Sequence, residues 1–269
     1  MGGTLAKDIE CLVLNIPGKC EANCKFCYLK NALKGKWEDV EHMDEAIRFT
    51  ARTVKKHMAE FGTLLLSVPH SAASMESLAH HMEPIRECIQ EKSCKVGIII
   101  LYKTIIKAPG YVGEILERCP GLTDLFVSVP ASKTGKMSEV KLKVPEDTTI
   151  TLNLILDEKI TNAKARELKK SSLNVREINV TVPMSKDLGK PNAKKKAAEI
   201  LASSLNAIWK IPGLYTYVSP CTQRALLPPA AGKGKKPPCY GDICGYAEIM
   251  NLKIHRGCPY GMRRECDND

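Results

Sequence analysis

Short apolar stretches rich in Val, Ile and Leu alternate along the chain with longer stretches whose apolar residues recur at helical spacing. The first pattern is typical of buried strands, and the second is typical of the helices that cover them. The predicted strands are Glu10–Ile16, Thr63–Val68, Lys95–Leu101, Asp124–Val129, Thr148–Leu156, Arg176–Val182 and Leu214–Val218. The predicted helices between them are Met43–Glu60, Ser74–Glu91, Gly110–Arg118, Thr161–Lys170 and Ala193–Lys210.

This alternation predicts an α/β fold with a parallel sheet, because parallel strands are joined by crossover connections that are usually helices. Strands this apolar are expected to be covered on both faces. About six β/α units fit into roughly the first 215 residues, whereas a complete TIM barrel has eight. We therefore expect a partial (β/α)6 TIM-like barrel over residues 1–219.

The pattern changes after Pro220, where stretches rich in Pro, Gly and Lys replace the strand–helix alternation. Five of the 12 cysteines in the chain lie in this segment. A segment this small buries little apolar surface and needs a staple such as a bound metal. Residues 220–269 are therefore predicted to form a small Cys-rich C-terminal extension of the barrel.

A hydroxyl residue and a proline recur together at the ends of four predicted strands. The four stretches are Ser67-Val68-Pro69, Ser128-Val129-Pro130, Thr181-Val182-Pro183 and Val218-Ser219-Pro220. One explanation is that proline simply ends a strand, because it has no N–H group for the ladder. The alternative is that these residues border a ligand crevice, since α/β active sites lie at the carboxyl ends of strands.

Composition places the chain among globular proteins, because 44% of its 269 residues are hydrophobic. The longest apolar run, Val96–Tyr102, is far too short to span a bilayer, and the N-terminus lacks a signal-peptide pattern. We therefore expect a cytoplasmic protein that does not associate with membranes. Thiols stay reduced in that compartment, so 12 cysteines indicate metal or redox chemistry rather than disulfides.

Three of these cysteines, Cys20, Cys24 and Cys27, lie within eight residues directly after the first predicted strand. Thiols this close on one loop can bind a single metal centre. Three protein ligands leave one iron of a four-iron cluster open to a cofactor or substrate. A structural zinc site is the alternative, but such sites usually have four protein ligands, and no His lies nearby in the sequence.

The Cys-x3-Cys-x-Phe-Cys spacing, its place after the first strand and the six β/α units resemble the radical S-adenosylmethionine (SAM) enzymes. The resemblance covers about residues 11–218. It implies that the three cysteines hold a [4Fe–4S] cluster and that the amine and carboxylate of SAM chelate the fourth iron. It also implies that SAM is cleaved reductively to a 5′-deoxyadenosyl radical, which abstracts hydrogen from a substrate. Phe26 or Tyr28 is then expected to lie against the adenine.

One departure from the family pattern concerns the SAM site. After the second strand the family commonly carries Gly-Gly-Glu, whose backbone binds the methionyl amine, and here Ser67-Val68-Pro69-His70-Ser71 stands in its place. The first two carbonyls remain able to accept from the amine, and His70 or Ser71 would replace a side-chain contact. His70 as a histidine bonded only within its own loop is the alternative. Ser128 and Asn153 are the expected ribose or carboxylate contacts, and no catalytic residue is assigned.

The cysteines of the extension follow a partly familiar spacing. Cys221-x12-Gly234-x4-Cys239 resembles the opening of the SPASM and twitch auxiliary-cluster domains of radical SAM enzymes, although the later spacing does not continue the SPASM pattern. Four of the five thiols would close an auxiliary [4Fe–4S] cluster, while zinc binding and free thiols are the alternatives. The candidate ligands are Cys221, Cys239, Cys244, Cys258 and Cys266.

The resemblance also implies a low-potential electron donor of the ferredoxin or flavodoxin type and a substrate that is a small molecule or a peptide. A radical SAM enzyme that modifies tRNA is an alternative, because 40 Lys and Arg against 30 Asp and Glu give a net charge of +10. Aromatic residues make up only 5% of the chain, however, and no RNA-binding module is recognisable. A non-catalytic iron–sulfur electron carrier is a further alternative.

The basic excess has an explanation other than nucleic acid. Eight basic residues against three acidic ones lie between Cys221 and Cys266. Cationic side chains beside an iron–sulfur cluster stabilise its thiolates and raise its reduction potential. We therefore attribute much of the excess to cluster electrostatics and do not favour a nucleic-acid partner.

Overall fold

The computed structural model describes residues 9–22, 24, 39–119, 121–170, 172–183, 190–226 and 246–256. Its strands are β1 (Ile9–Asn15), β2 (Met58–Ser67), β3 (Lys95–Leu101), β4 (Leu122–Pro130), β5 (Thr149–Ile155), β6 (Glu177–Thr181), β7 (Tyr215–Val218), β8 (Tyr246–Met250) and β9 (Lys253–Arg256). Its helices are α1 (Met43–His57), α2 (Ala72–His81), α3 (Glu83–Lys92), α4 (Tyr102–Lys107), α5 (Pro109–Arg118), α6 (Asn162–Glu167), α7 (Pro191–Ile208) and α8 (Pro220–Leu226), with 3-10 helices at Val40–His42 and Ala131–Glu139.

The strands form one sheet in the order β7-β6-β5-β4-β3-β2-β1-β8-β9. From β1 to β7 each strand pairs in parallel with the next strand along the chain. Sequential parallel order with crossovers of one hand places the helices on one side of the sheet, whereas a doubly wound sheet reverses its order partway. The predicted α/β fold with a partial TIM-like barrel is therefore confirmed.

The two faces of the sheet have different environments. Val127 and Leu152 point towards the helices and are fully buried, whereas their neighbours Phe126 and Asn153 are half-buried on the other face. This alternation puts one face under the helical layer and leaves the other to line the interior of the open barrel. The inner face also carries polar residues, among them Ser128 and Asn153, which are half-buried.

Several helix boundaries differ from the sequence prediction. The helix predicted over Ser74–Glu91 is two helices, α2 and α3, and Pro84 lies in the first turn of the second. Helix α1 ends at His57 because the chain enters β2 there, and α4 was not predicted at all. In the part of the chain that the structure describes, no helix is long and apolar enough to cross a membrane.

Strands β8 and β9, which were not predicted, bring part of the C-terminal segment into the main sheet. Strand β8 pairs in parallel with β1, and β9 returns antiparallel to β8. Ala247 and Ile249 are fully buried in the core beneath the helices. Asn251 and Leu252, both with positive φ, form the two-residue turn between the strands. The sheet therefore continues past β1 through residues that composition alone predicted to be loop.

Candidate functional site

The first two cysteines of the motif follow β1 at the carboxyl edge of the sheet. Gly18 lies in the turn that leads to them and has a φ of +134°, a conformation that residues with a side chain rarely adopt. A Cβ on Gly18 would lie 1.8 Å from Ser74 Oγ in α2. The glycine therefore lets the cysteine loop run directly against the start of this helix.

Backbone hydrogen bonds hold Cys20 beside the loop that follows β2. The His70 N–H donates to Cys20 Sγ across 3.4 Å, and the Glu21 N–H donates to the His70 carbonyl across 3.0 Å. Cys20 itself is exposed. Cys20 is therefore accessible to solvent while its sulfur accepts one backbone N–H.

The side chains around His70 form a second set of contacts. Its Nδ1 lies 2.9 Å from Thr104 Oγ1 in α4, and Lys107 of the same helix forms an ion pair with Glu21. Burial lowers the pKa of His70, and the charges of Lys107 and Lys103 lower it further, against an opposing effect of Glu21. The hydrogen bond and charge of Lys107 lower the pKa of the Glu21 carboxyl. Near neutral pH the site therefore contains an uncharged imidazole beside a compensated ion pair.

Tyr102, directly after β3, lies close to the second cysteine. Burial raises the pKa of the Tyr102 phenol, and the charge of the Cys24 thiolate raises it further. Cys24 is half-buried. The two described thiols are soft ligands on one loop and fit an iron–sulfur cluster. Within the described residues no set of three ligands is complete, and Cys27, Phe26 and Tyr28 lie outside those residues.

Polar pairs line the inner face of β5 and β6. Asn179 Nδ2 donates to Asn153 Oδ1 across 3.0 Å, and one step closer to the amino edge Thr151 Oγ1 donates to Glu177 Oε2 across 3.2 Å. Asn179 Oδ1 has no hydrogen-bond partner within the described residues. Ser128 is the register neighbour of Asn153 on β4. The inner face of these strands therefore offers acceptors to a polar ligand.

The four predicted strand ends that combine a hydroxyl residue with a proline differ in where their hydroxyl groups lie. The hydroxyls of Thr181, Ser219 and Thr222 bond one another at distances of 2.9–3.1 Å, and Thr222 is fully buried. These hydroxyls tie the start of α8 to the ends of β6 and β7 and do not border a crevice. Ser67 and Ser128, in contrast, are half-buried on the inner face.

The segment in place of Gly-Gly-Glu is already bonded to its surroundings. The Ser67 carbonyl accepts from the Ile16 N–H at 2.9 Å, and the Pro69 carbonyl accepts from the Ser71 N–H at 2.9 Å. The Ser71 hydroxyl caps α2 by accepting from the Ser74 N–H at 3.3 Å, and Ser71 is buried. The Ser71 hydroxyl therefore already has one structural task at the start of α2, while its role as a replacement side-chain contact to SAM stays a prediction.

The predicted ligands of the extension are only partly placed. Cys221 belongs to α8, at the carboxyl edge beside β7. Cys239, Cys244, Cys258 and Cys266 lie outside the described residues. The auxiliary site therefore stays a prediction.

Several residues of the candidate site were not identified from the sequence. Thr104 and Lys107 reach the cysteine loop from α4, an element that was not predicted. Asn179 and Glu177 had a usable signal, because polar residues alternate along β6 as they do around Asn153 in β5. Polar residues at alternate positions of two neighbouring strands would have indicated that Asn179 and Glu177 face the barrel interior.

A large surface cavity, about 570 Å³, lies away from this edge. It is lined by Lys141, Lys143 and Lys170 in the segments that lead into β5 and β6. It is shallow and opens at the amino edge of the sheet, opposite the cysteine loop. Its chemistry is unrelated to the thiols and the polar pairs described above.

Known proteins resemble this chain in fold and little in sequence. No protein-family model matches it, and no curated protein matches it. It is similar to SuiB of Streptococcus suis bound to the precursor peptide SuiA, with a TM-score of 0.52, 12% identity and coverage of 94% of this chain. The chain spans 60% of SuiB, less than two thirds of its length.

A second structural likeness is to methylornithine synthase, PylB. The identity is again 12%, the coverage is 85% of this chain and 79% of PylB, and the TM-score of 0.39 is too low to support an argument. The likeness to SuiB shows a shared fold, in agreement with the predicted α/β partial barrel.

Proposed function

We propose that this chain, an α/β partial barrel with clustered cysteines after its first strand, is a radical SAM enzyme. In this proposal Cys20, Cys24 and Cys27 bind a [4Fe–4S] cluster. The supporting observation is that two of these thiols lie together after β1, at the edge of the sheet where α/β barrels have their active sites. A thiol cluster in that position is open to a ligand approaching from the barrel interior.

The chemistry of the cluster accounts for the reaction type. When bound, the cluster passes one electron from a low-potential ferredoxin- or flavodoxin-type donor to SAM, which yields methionine and a 5′-deoxyadenosyl radical that takes a hydrogen atom from the substrate. The residues of this chain orient the reactants and exclude water. Ser67, Ser128 and Asn153 lie on the inner face, where they can contact SAM.

The polar inner wall constrains the substrate. Glu177 and the free acceptor of Asn179 favour a group that donates hydrogen bonds, whereas Phe126 offers an apolar surface one strand away from Thr151. A small polar molecule or a peptide side chain meets both requirements. SuiB was crystallised with its precursor peptide, which supports a peptide as one of these two possibilities.

We also propose an auxiliary [4Fe–4S] cluster on four of the five cysteines after Pro220. Ala247 pairs with Arg256, so the two ends of the β8–β9 hairpin lie side by side at the amino edge of the sheet. In the sequence Cys244 and Cys258 each stand two residues beyond the bounds of this hairpin. A hairpin that brings its ends together supports a shared metal site there, separate from the cysteine loop after β1.

The test is anaerobic reconstitution followed by iron counting and a SAM cleavage assay with dithionite. We expect about eight irons for two clusters and release of 5′-deoxyadenosine. Cys24→Ala should retain about four irons and release no 5′-deoxyadenosine. The iron content of Cys244→Ala should also fall to about four. Cys94→Ala, which alters a buried thiol outside the proposed sites, should behave like the wild type. A wild-type protein that binds iron but cleaves no SAM would contradict the enzymatic proposal.

A further inference from the structure

The loop after β2 contacts the cysteine loop through His70. We propose that His70 and Thr104 are positioning residues that hold the cluster ligand Cys20 in place. The inference rests on the proposed function. It concerns only residues that the structure describes.

Both backbone polar groups of His70 bond to the cysteine loop. Its N–H donates to Cys20 Sγ across 3.4 Å, and its carbonyl accepts from the Glu21 N–H across 3.0 Å. A donor to a ligating sulfur disperses the charge of the thiolate and tunes the cluster that it binds. Both backbone polar groups of His70 therefore link the loop after β2 to the cysteine loop.

The imidazole fixes that main chain in place. His70 Nδ1 lies 2.9 Å from the Thr104 hydroxyl, and Thr104 is 1% exposed within α4. A hydrogen bond to a buried group on a helix restricts the side chain far more than a contact in solvent. The orientation of residue 70, and with it the direction of its N–H towards sulfur, is therefore set from α4.

A second contact from α4 reaches the same turn. Lys107 follows Thr104 by three residues, which places both on one face of the helix, and it forms an ion pair with Glu21. Both partners are about half exposed, so the pair contributes little on its own. The His70–Thr104 bond is therefore the principal anchor, and Lys107 is an auxiliary one.

The experiment measures the rate at which a chelator removes iron from the anaerobically reconstituted protein. Thr104→Val removes the hydroxyl at constant shape, and His70→Ala removes the imidazole. We expect iron release to accelerate roughly tenfold in both, as for other residues that orient metal ligands. His70→Asn, whose amide can still reach Thr104, should restore the slow rate. Thr53→Val is the matched control, because its hydroxyl bonds only within α1.

Two further measurements separate the possible outcomes. In the protein without cluster, hydrogen exchange at the Glu21 amide should rise in Thr104→Val and His70→Ala, because its acceptor is the His70 carbonyl. SAM affinity of variants that retain their cluster should stay within about threefold of the wild type. Loss of SAM binding with normal iron retention would overturn the inference and make His70 a SAM contact.

Failure of the inference is distinguishable from failure of the proposed function. If the wild type takes up a cluster and cleaves SAM while Thr104→Val and His70→Ala retain iron normally, only the positioning role is wrong. If the wild type takes up no cluster at the first three cysteines, the proposed function is wrong, and the inference that depends on it is overturned as well.

Discussion

The conformation of the cysteine loop depends most directly on Gly18, which has no side chain. Gly18→Ala places a methyl group on a backbone with a φ of +134° and against Ser74. We expect a loss of about 1–3 kcal/mol in the free energy of unfolding, measured by urea denaturation, together with reduced iron uptake. Gly113→Ala is the control, because a Cβ there meets no atom within 4 Å. That variant should be unchanged or stabilised by about 0.5–1 kcal/mol, since it lies within α5.

Thiol reactivity should separate the proposed ligand Cys20 from the cysteines of the core. Burial raises the pKa of Cys88 to about 11 and that of Cys119 to about 12, whereas Cys20 is exposed. In the folded protein without cluster, we expect iodoacetamide at pH 8 to modify Cys20 within minutes and to leave Cys88 and Cys119 unmodified. Peptide mass spectrometry reads out each site. Rapid labelling of Cys119 would mean that the helical layer opens readily.

At the scale of elements, most of the sheet was predictable because each parallel strand is a short apolar run of its own. The bounds of the helices were harder to predict, because a helix ends where the next strand starts. Helix α1 shows this, because residues 58–60 continue its amphipathic pattern in the sequence yet belong to β2. Strand β8 was missed for a different reason. It is a short run in a Pro- and Gly-rich segment, and its pairing with β1 is a long-range contact that the local sequence does not indicate.

The contribution of β8 can be tested at one pair of residues. Ile249 and Ile254 face each other across the hairpin, but Ile249 is fully buried and Ile254 is half-buried. Ile249→Ala should lower the free energy of unfolding by about 2–5 kcal/mol, and Ile254→Ala should cost clearly less. Equal, small effects in thermal and urea unfolding would show that the hairpin does not contribute to the core.

For the whole molecule, the net charge is +10, and part of the basic charge on the described residues is paired with carboxylates. Among the described residues, eight Lys or Arg side chains form ion pairs with carboxylates at scattered positions. Mixed charges of this kind suit solvation rather than a polyanion. In the sequence, the basic excess of residues 221–266 accompanies the cysteines of the extension.

We therefore expect only weak, non-specific binding of tRNA by the reconstituted protein. At about 150 mM salt its dissociation constant should be no tighter than roughly 10⁻⁶ M, and unrelated RNA should bind equally well. A filter-binding series across salt concentrations measures both. Tight binding of one tRNA species with a steep salt slope would instead favour the tRNA-modifying alternative.

The sequence by itself determined the features that local pattern and covalent spacing encode. Apolar runs gave the strands of the barrel, and the spacing of Cys20, Cys24 and Cys27 required no fold to be recognised. Only the tertiary structure decided which side chains surround these thiols. His70, Thr104 and the partner of Glu21, Lys107, come from two further β/α units, 50 to 87 residues away from Cys20. Contacts over such separations arise from the packing of the sheet, and no local pattern records them.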